Sequence, residues 1–241
     1  MNREIPWLRI VLEGVVIVTS ILLAFGIDAW WEGRRERADV VRELQNVELE
    51  LVENRDKLDF NLVLHRRVAA SIDELVTLMD DLSVSSIEIP DTLVELLLFT
   101  PTTNPSTGAI DALVASGRLS FIRDDVLRRR IAGWKGILGD LEEGELGSRD
   151  VNENRVRAAL VGSQYPELSR ERVVQIMSHL RGSNVGIPIP SNPSSFPVNA
   201  EIRGVLKWRA AWAGGVLADL ADVSPYLDEL LELVRAEIAE S

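Results

Sequence analysis

The chain contains no cysteine and only two histidines, His65 and His179, among 241 residues. A disulfide framework is therefore excluded, and a His/Cys zinc site lacks its ligands. No phosphate-cradling glycine loop, dinucleotide-binding glycine fingerprint or nucleophile elbow occurs. Positive charge is also short: 26 Lys and Arg stand against 38 Asp and Glu, for a net charge of −12. A phosphate-binding surface needs concentrated positive charge, so neither nucleic acid nor broad adhesion to anionic lipid is expected. The densest basic run, Arg128-Arg129-Arg130, reads as a solvated helix face partly paired with Asp124 and Asp125. Glu142, Glu143 and Glu145, near Asp140, lack the alternating ligand spacing of a calcium loop and read as a solvated helix end. No catalytic residue, metal ligand or cofactor is expected, and the chain does not read as an enzyme.

Glycine and proline are missing from residues 34–89. Within that stretch Leu44, Leu51, Leu58, His65, Ile72 and Met79 recur every seven residues. Val47, Asn54, Asn61, Val68, Leu75 and Leu82 form the complementary set. This 3-4 alternation predicts one amphipathic helix of about 70 Å, ending near Ser83–Ser86. Asn54, Asn61 and His65 put polar groups in its seam. Either they fix register or oligomeric state, or the helix face rotates and Leu62 and Ala69 take over the core. A ligand-binding polar layer is a third reading.

What is present in quantity is one apolar run, Ile10 through Ile27, with Trp7 before it and Trp30-Trp31 after it. Its length of about 27 Å matches the hydrocarbon thickness of a bilayer, and the indoles fall at the headgroup boundaries. Ala24-Phe25-Gly26 resembles a signal-peptide cleavage site, but the run is longer than a signal core and continues as a helical pattern, so an uncleaved anchor is expected. Glu13 is the ionisable residue within the run. An Arg9–Glu13 pair one turn apart is the expected arrangement, ahead of a second helix approaching at Gly14 or of proton handling. Counting Lys and Arg in the flanks favours a cytoplasmic C-terminal domain, whereas the lack of cysteine fits an oxidising compartment. These two cues conflict, and the periplasmic side is the working assignment.

Three regions follow: a flank over residues 1–9, an anchor over 10–31 and a helical-bundle domain over 34–241. After Pro90, a short helix is predicted over 92–99 with Asp91 as its cap. Residues 100–107 are a proline-bearing loop. A helix over 109–116 stops at Gly117, where a left-handed residue suits the end. Leu119, Phe121 and Ile122 form an apolar connector, and Asp124 caps a helix running towards Leu146. Its Gly133, Gly136 and Gly139 suggest close approach by a neighbouring backbone or a frayed helix. Further helices are expected over 150–162 and 169–181, and residues 186–197 read as an extended surface loop. The last segment, 199–239, has one apolar stripe and suits an antiparallel partner for the long first helix, with Ser224-Pro225 as a cap or kink.

Two stretches together resemble a known group. One is Leu12-Glu13-Gly14 through Asp28-Ala29-Trp30, followed by Glu32 and Arg34-Arg35. The other is Gly108-Ala109-Ile110-Asp111-Ala112-Leu113, continuing through Ser116-Gly117-Arg118-Leu119 to Ile122-Arg123-Asp124. The combination resembles an uncharacterised family of bacterial single-pass inner-membrane proteins with a Ser-Gly-x-Leu-x-x-Ile turn. Trp31 departs from the more polar residue expected there. The resemblance covers about the first 130 residues and implies a bacterial inner-membrane location without implying an activity. Read physically, Ser116 and Gly117 end a helix in a tight reversal, Leu119 and Ile122 enter the core, and Asp124 opens the next helix. That turn is a structural joint or, alternatively, a binding surface.

The expected fold is all-α: a transmembrane helix continuing into a long helix, with an elongated antiparallel bundle. The expected role is interaction or scaffolding, with the bilayer and either a second copy or another membrane protein as partners. The rival reading is an extracytoplasmic ligand-sensing bundle that signals through a membrane partner. A pocket lined by Asn54, Asn61, His65 or Trp208 would favour it.

Overall fold

A segment without glycine or proline has nothing to break a helix, and none breaks here. In the computed structural model, which describes residues 7–80, 83–163, 178 and 191–240 (side chains from Val11 onward), α1 runs unbroken from Trp7 to Leu78. At 72 residues it is about 108 Å long. Its first part is apolar and fully uncovered by the rest of the chain, with a mean hydropathy of 2.1, and is long enough to cross a membrane. Val40 is where packing begins.

From Val40 on, both heptad sets are buried. Leu44, Leu51, Leu58, Ile72 and Met79 are closed off from solvent, and so are Val47, Asn54, Val68 and Leu75. Asn61 and His65 are nearly so, hence the helix face does not rotate in the middle. Leu62 and Ala69 pack only partly against the core. Leu82 lies outside the described residues.

Beyond α1 come β1 (Ser86–Pro90), α2 (Asp91–Leu97), α3 (Gly108–Ala115), a 3₁₀ turn (Arg118–Phe121) and α4 (Asp125–Val151). A π-helical turn (Asn152–Val156) then leads into α5 (Arg157–Gly162), followed by β2 (Pro193–Pro197) and α6 (Ala200–Ala239). The helix expected over 150–162 is thus the continuation of α4 through the π turn. The helix expected over 169–181 lies outside the described residues, apart from a helical residue at 178.

α6 runs antiparallel to both α1 and α4, and these three long helices build the bundle. Arg235 of α6 bonds to Glu48 of α1 at 2.7 Å; seven residues on along α1, Arg55 bonds to Asp228, seven back along α6, at 2.9 Å. Asp80 and Arg203 continue the same register. Pro225 sits inside α6 without ending it, and the Ser224 hydroxyl donates to the Leu220 carbonyl in the turn before it. α4 packs along α6 with the Trp134 and Tyr226 rings stacked at 6.0 Å and the Tyr226 hydroxyl donating to the Arg130 carbonyl at 2.7 Å.

The core falls into two large apolar clusters and a small patch where Leu64 meets Phe60 and Phe99. The anchor-side cluster joins Val40–Leu58 of α1 to Ile110, Leu113, Ile122, Trp134 and the Val216–Val234 half of α6. The far cluster joins Val68–Met79 to α2, the π turn, Phe196 and the Ile202–Ala213 half of α6.

Three local expectations are corrected. Residues 193–197 are a strand rather than an extended loop, paired antiparallel with β1 so that Ile87 faces Phe196, which is fully buried. Asp91 is not the cap of α2; Pro90 occupies that position, and the Asp91 carboxylate accepts from Ser191 Oγ (2.7 Å) and the Asn192 amide (3.0 Å). Of Gly133, Gly136 and Gly139, Gly133 alone is approached, by the Tyr226 hydroxyl, while Gly136 and Gly139 face open space among the described residues.

Candidate functional site

A polar side chain at a core position is costly unless bonded. This bundle places several at one level, between its two apolar clusters. α1 supplies Asn54, Asn61 and His65, α4 supplies Glu145 and Ser148, the π turn supplies Asn152, and α6 supplies Arg209, all buried. Most are bonded to one segment, residues 98–110, which is irregular up to the start of α3 at Gly108.

Pro101 and Pro105 keep this segment from being helical, and its backbone groups need partners from elsewhere. Asn54 clamps Ser106 in both directions: its Nδ2 donates to the Ser106 carbonyl and its Oδ1 accepts the Ser106 amide, each at 2.7 Å. Glu145 accepts the Thr103 amide on both oxygens (3.1 Å each) and the Thr103 hydroxyl on Oε1 at 2.6 Å. Asn152 Nδ2 donates to the Leu98 carbonyl at 2.8 Å, and Arg209 donates to the Phe99 carbonyl at 3.0 Å and to Ser148 Oγ. Glu50 of α1 accepts the amides of Ala109 (2.8 Å) and Ile110 (3.3 Å), capping α3 from outside. Lys57 Nζ donates to Ser106 Oγ at 2.9 Å. The loop is thereby held in one conformation, including Asn104 at φ 45°, a left-handed geometry that asparagine tolerates.

Two seam residues act differently from Asn54. Asn61 bonds back to the Lys57 carbonyl of its own helix at 2.9 Å. His65 Nε2 lies 3.4 Å from Glu145 Oε1. Glu145 itself corrects the expectation of a solvated helix end, because it is buried and central to the layer. Burial lowers the Arg209 guanidinium to a pKa of about 10.

Beside the loop is an open cleft of about 440 Å³. Asn104, Pro105 and Thr107 form one wall, and Lys135, Gly139 and Glu142 of α4 line the other, with Glu145 at its base. Asn54, Asn61 and His65 do not line it, and Trp208 is exposed on the surface. Lys135 pairs with Asp111 at 2.9 Å and its hydrogen bond holds the Asp111 carboxyl below the usual range. Among the described residues, no group of three or more His, Asp or Glu is placed to hold a metal ion.

The Ser116–Asp124 turn sits at the anchor side of the bundle. Gly117 is left-handed at φ 75°, Ser116 Oγ donates to Glu43 Oε2 at 3.2 Å, and Arg118 reaches Glu43 and Asp39 of α1. Asp124 caps α4 by accepting the Val126 amide at 2.7 Å. Glu237 near the end of α6 accepts the Arg123 amide at 2.9 Å. Ile122 is buried and Leu119 half-buried as the sequence predicts, but Phe121 is exposed. Arg128 pairs with Asp125, whereas Arg130 turns to Glu229 and the Tyr226 ring.

At the end of the exposed apolar stretch, Trp30 and Trp31 meet edge to face at 5.6 Å, and Arg34 lies over the Trp30 ring at 5.7 Å. Gly14 has no neighbour within 4 Å among the described residues. Glu13 lies on the exposed apolar stretch, and the side chains of Trp7 and Arg9 lie outside the described residues.

The sequence reading missed Glu50, Glu145, Asn152 and Arg209. A signal existed for two of them. Glu145 follows Leu138 and Leu141 on the buried stripe of α4, and Arg209 lies between Leu206 and Ala213 on that of α6. Polar residues on a core stripe are the same mark that singled out Asn54. No protein-family model, curated protein or solved structure matches the chain.

Proposed function

We propose that this chain is a single-pass protein of the bacterial inner membrane whose bundle, on the periplasmic side, is a non-catalytic interaction module. The observation that carries the reading is the segment 98–110, held rigid by buried side chains of α1, α4, the π turn and α6 beside an open cleft. Binding residues concentrate on loops positioned by a rigid scaffold. The cleft offers an ammonium, a carboxylate and loop backbone together, which suits a polar segment of another protein. The partner is a second copy or a neighbouring membrane protein, since a chain tethered to the bilayer meets those first. The likeness of the anchor and the Ser116–Asp124 turn to bacterial single-pass proteins supports the location.

A photo-crosslinking residue at Asn104 or Glu142, activated in native membranes, tests this. A defined adduct is expected, and it should weaken in Asn54→Ala, where the loop is released. A strictly monomeric chain with no adduct from either position would sink the reading. A C-terminal reporter fusion active on only one side of the membrane tests the periplasmic assignment.

A second reading, a ligand sensor, is favoured by one contact. Glu145 closes the base of the cleft, ties down Thr103 and stands beside His65, so an occupant of the cleft would act directly on the polar layer. A ligand-dependent rise in Tm, abolished by Glu142→Gln, is its expected signature.

A further inference from the structure

The chain is acidic as a whole, yet its charges are sorted around α1 just beyond the apolar run. At about 100° per residue, Trp30, Arg34, Arg37, Ala38 and Val41 share one side of the helix, while Glu32, Glu36, Asp39 and Glu43 share the opposite side. The acidic side is engaged by the bundle: Asp39 and Glu43 hold Arg118, Glu43 holds Ser116, and the neighbouring Val40 is buried. The basic side is turned away and open. Among the described residues, no carboxylate pairs with Arg34, Arg35 or Arg37; Arg34 stacks on Trp30, and Arg37 Nε donates to the Gly33 carbonyl at 3.1 Å. Trp30, Arg34, Arg37, Ala38 and Val41 line a hollow of about 450 Å³.

We propose that this side of α1 binds the headgroup phosphate of an anionic phospholipid. The inference rests on the membrane-anchor reading. With Trp30 at the hydrocarbon edge, Arg34 and Arg37 lie roughly 6 and 10 Å further along the axis, at headgroup height. Guanidinium groups bind phosphate oxygens in pairs, and the indole lies along the upper acyl chain. The charge selects the occupant. A second copy packed in parallel on this side would set Arg34 and Arg37 against their own equivalents, whereas an anionic headgroup neutralises them.

The test uses the full chain in nanodiscs holding equal phosphatidylglycerol and phosphatidylcholine, with retained lipid counted by native mass spectrometry after release. Each arginine near an anionic surface strengthens binding about fivefold, so Arg34→Gln with Arg37→Gln should lower the phosphatidylglycerol preference by on the order of twentyfold. A control pair on the bundle, Arg66→Gln with Arg129→Gln, should leave it unchanged. No preference in the unaltered chain, or an equal loss in the control pair, overturns the proposal. Because the chain has no cysteine, Ala38→Cys gives a clean disulfide probe. An efficient disulfide-linked dimer in membranes would assign this side to a second copy and overturn the proposal as well. Alkaline washing separates the two premises: release of the chain from membranes defeats the anchor itself, whereas retention without lipid preference defeats the headgroup site alone.

Discussion

Replacing Asn54 by alanine removes both halves of the clamp on Ser106 and leaves that residue's amide and carbonyl without their partner. A backbone group orphaned in a sealed interior costs about 1–3 kcal/mol. Ser106 is only half-buried, so water replaces part of the loss, and a net cost of about 2 kcal/mol is the reasonable figure. Against a domain stability of about 5–15 kcal/mol this loosens the loop without unfolding the bundle. Two kcal/mol corresponds to roughly a thirtyfold shift in a local opening equilibrium. Hydrogen exchange of the full chain in detergent reads that shift directly at Ser106 and at the α3 amides of Ala109 and Ile110, which depend on the same loop geometry through Glu50. Core amides of α6 around Leu220 should change far less. Asn54→Asp sets a carboxylate oxygen against the Ser106 carbonyl at a fully buried position, so it should loosen the loop at least as much as Asn54→Ala. Exchange at Ser106 within about twofold of the unaltered chain in Asn54→Ala would refute the claim that the polar layer holds the loop.

Further outcomes follow from packing and charge. A methyl group at Gly147 would overlap the Trp212 ring, so Gly147→Ala should lower stability by about 1–3 kcal/mol, whereas Gly136→Ala, facing open space, should raise it by up to about 1 kcal/mol; urea unfolding separates the two. Asp219 has its carboxyl raised by burial and then by Asp140 and Asp222, so its ionised form costs stability above that pKa and the cost disappears as pH falls through it. Asp219→Asn should therefore raise Tm at pH 7, with the gain fading as pH falls towards the ordinary aspartate value of 3.8. Arg209 runs the other way: its lowered pKa of about 10 makes the charged form costly below that pH, and the cost is relieved as pH rises from about 10 towards the ordinary guanidinium value. The stability of the unaltered chain should thus rise relative to Arg209→Met between pH 9 and pH 11, and a flat difference would count against a desolvated guanidinium.

The spine was legible because α1 and α6 carry their buried positions as a 3-4 repeat, and Asp124 caps α4 where the sequence places it. Strands β1 and β2 were not, because each is five residues long and its partner lies about a hundred residues away; Phe196 entering the far cluster sets their register. The glycine contact was misplaced for a geometric reason. Steps of three residues walk around a helix, leaving Gly133 and Gly139 about 120° apart, whereas eleven residues return to nearly the same azimuth. Gly144, eleven after Gly133, is indeed the next glycine met by α6, through Asp219. Asn54 was visible as a misfit in a seam. The loop it holds was not, because nothing local to residues 98–110 says which helix supplies their partners.

The unbroken run of α1 from Trp7 to Leu78 makes the apolar stretch and the bundle two lengths of one screw. One residue inserted between Trp31 and Val40 would turn the whole bundle about 100° around the axis of the apolar stretch while shifting it only about 1.5 Å along that axis. Four inserted residues would nearly restore the heading and shift it about 6 Å. The compass direction in which the loop and cleft face their neighbours is therefore written into the spacing of a short, exposed stretch that makes few contacts of its own.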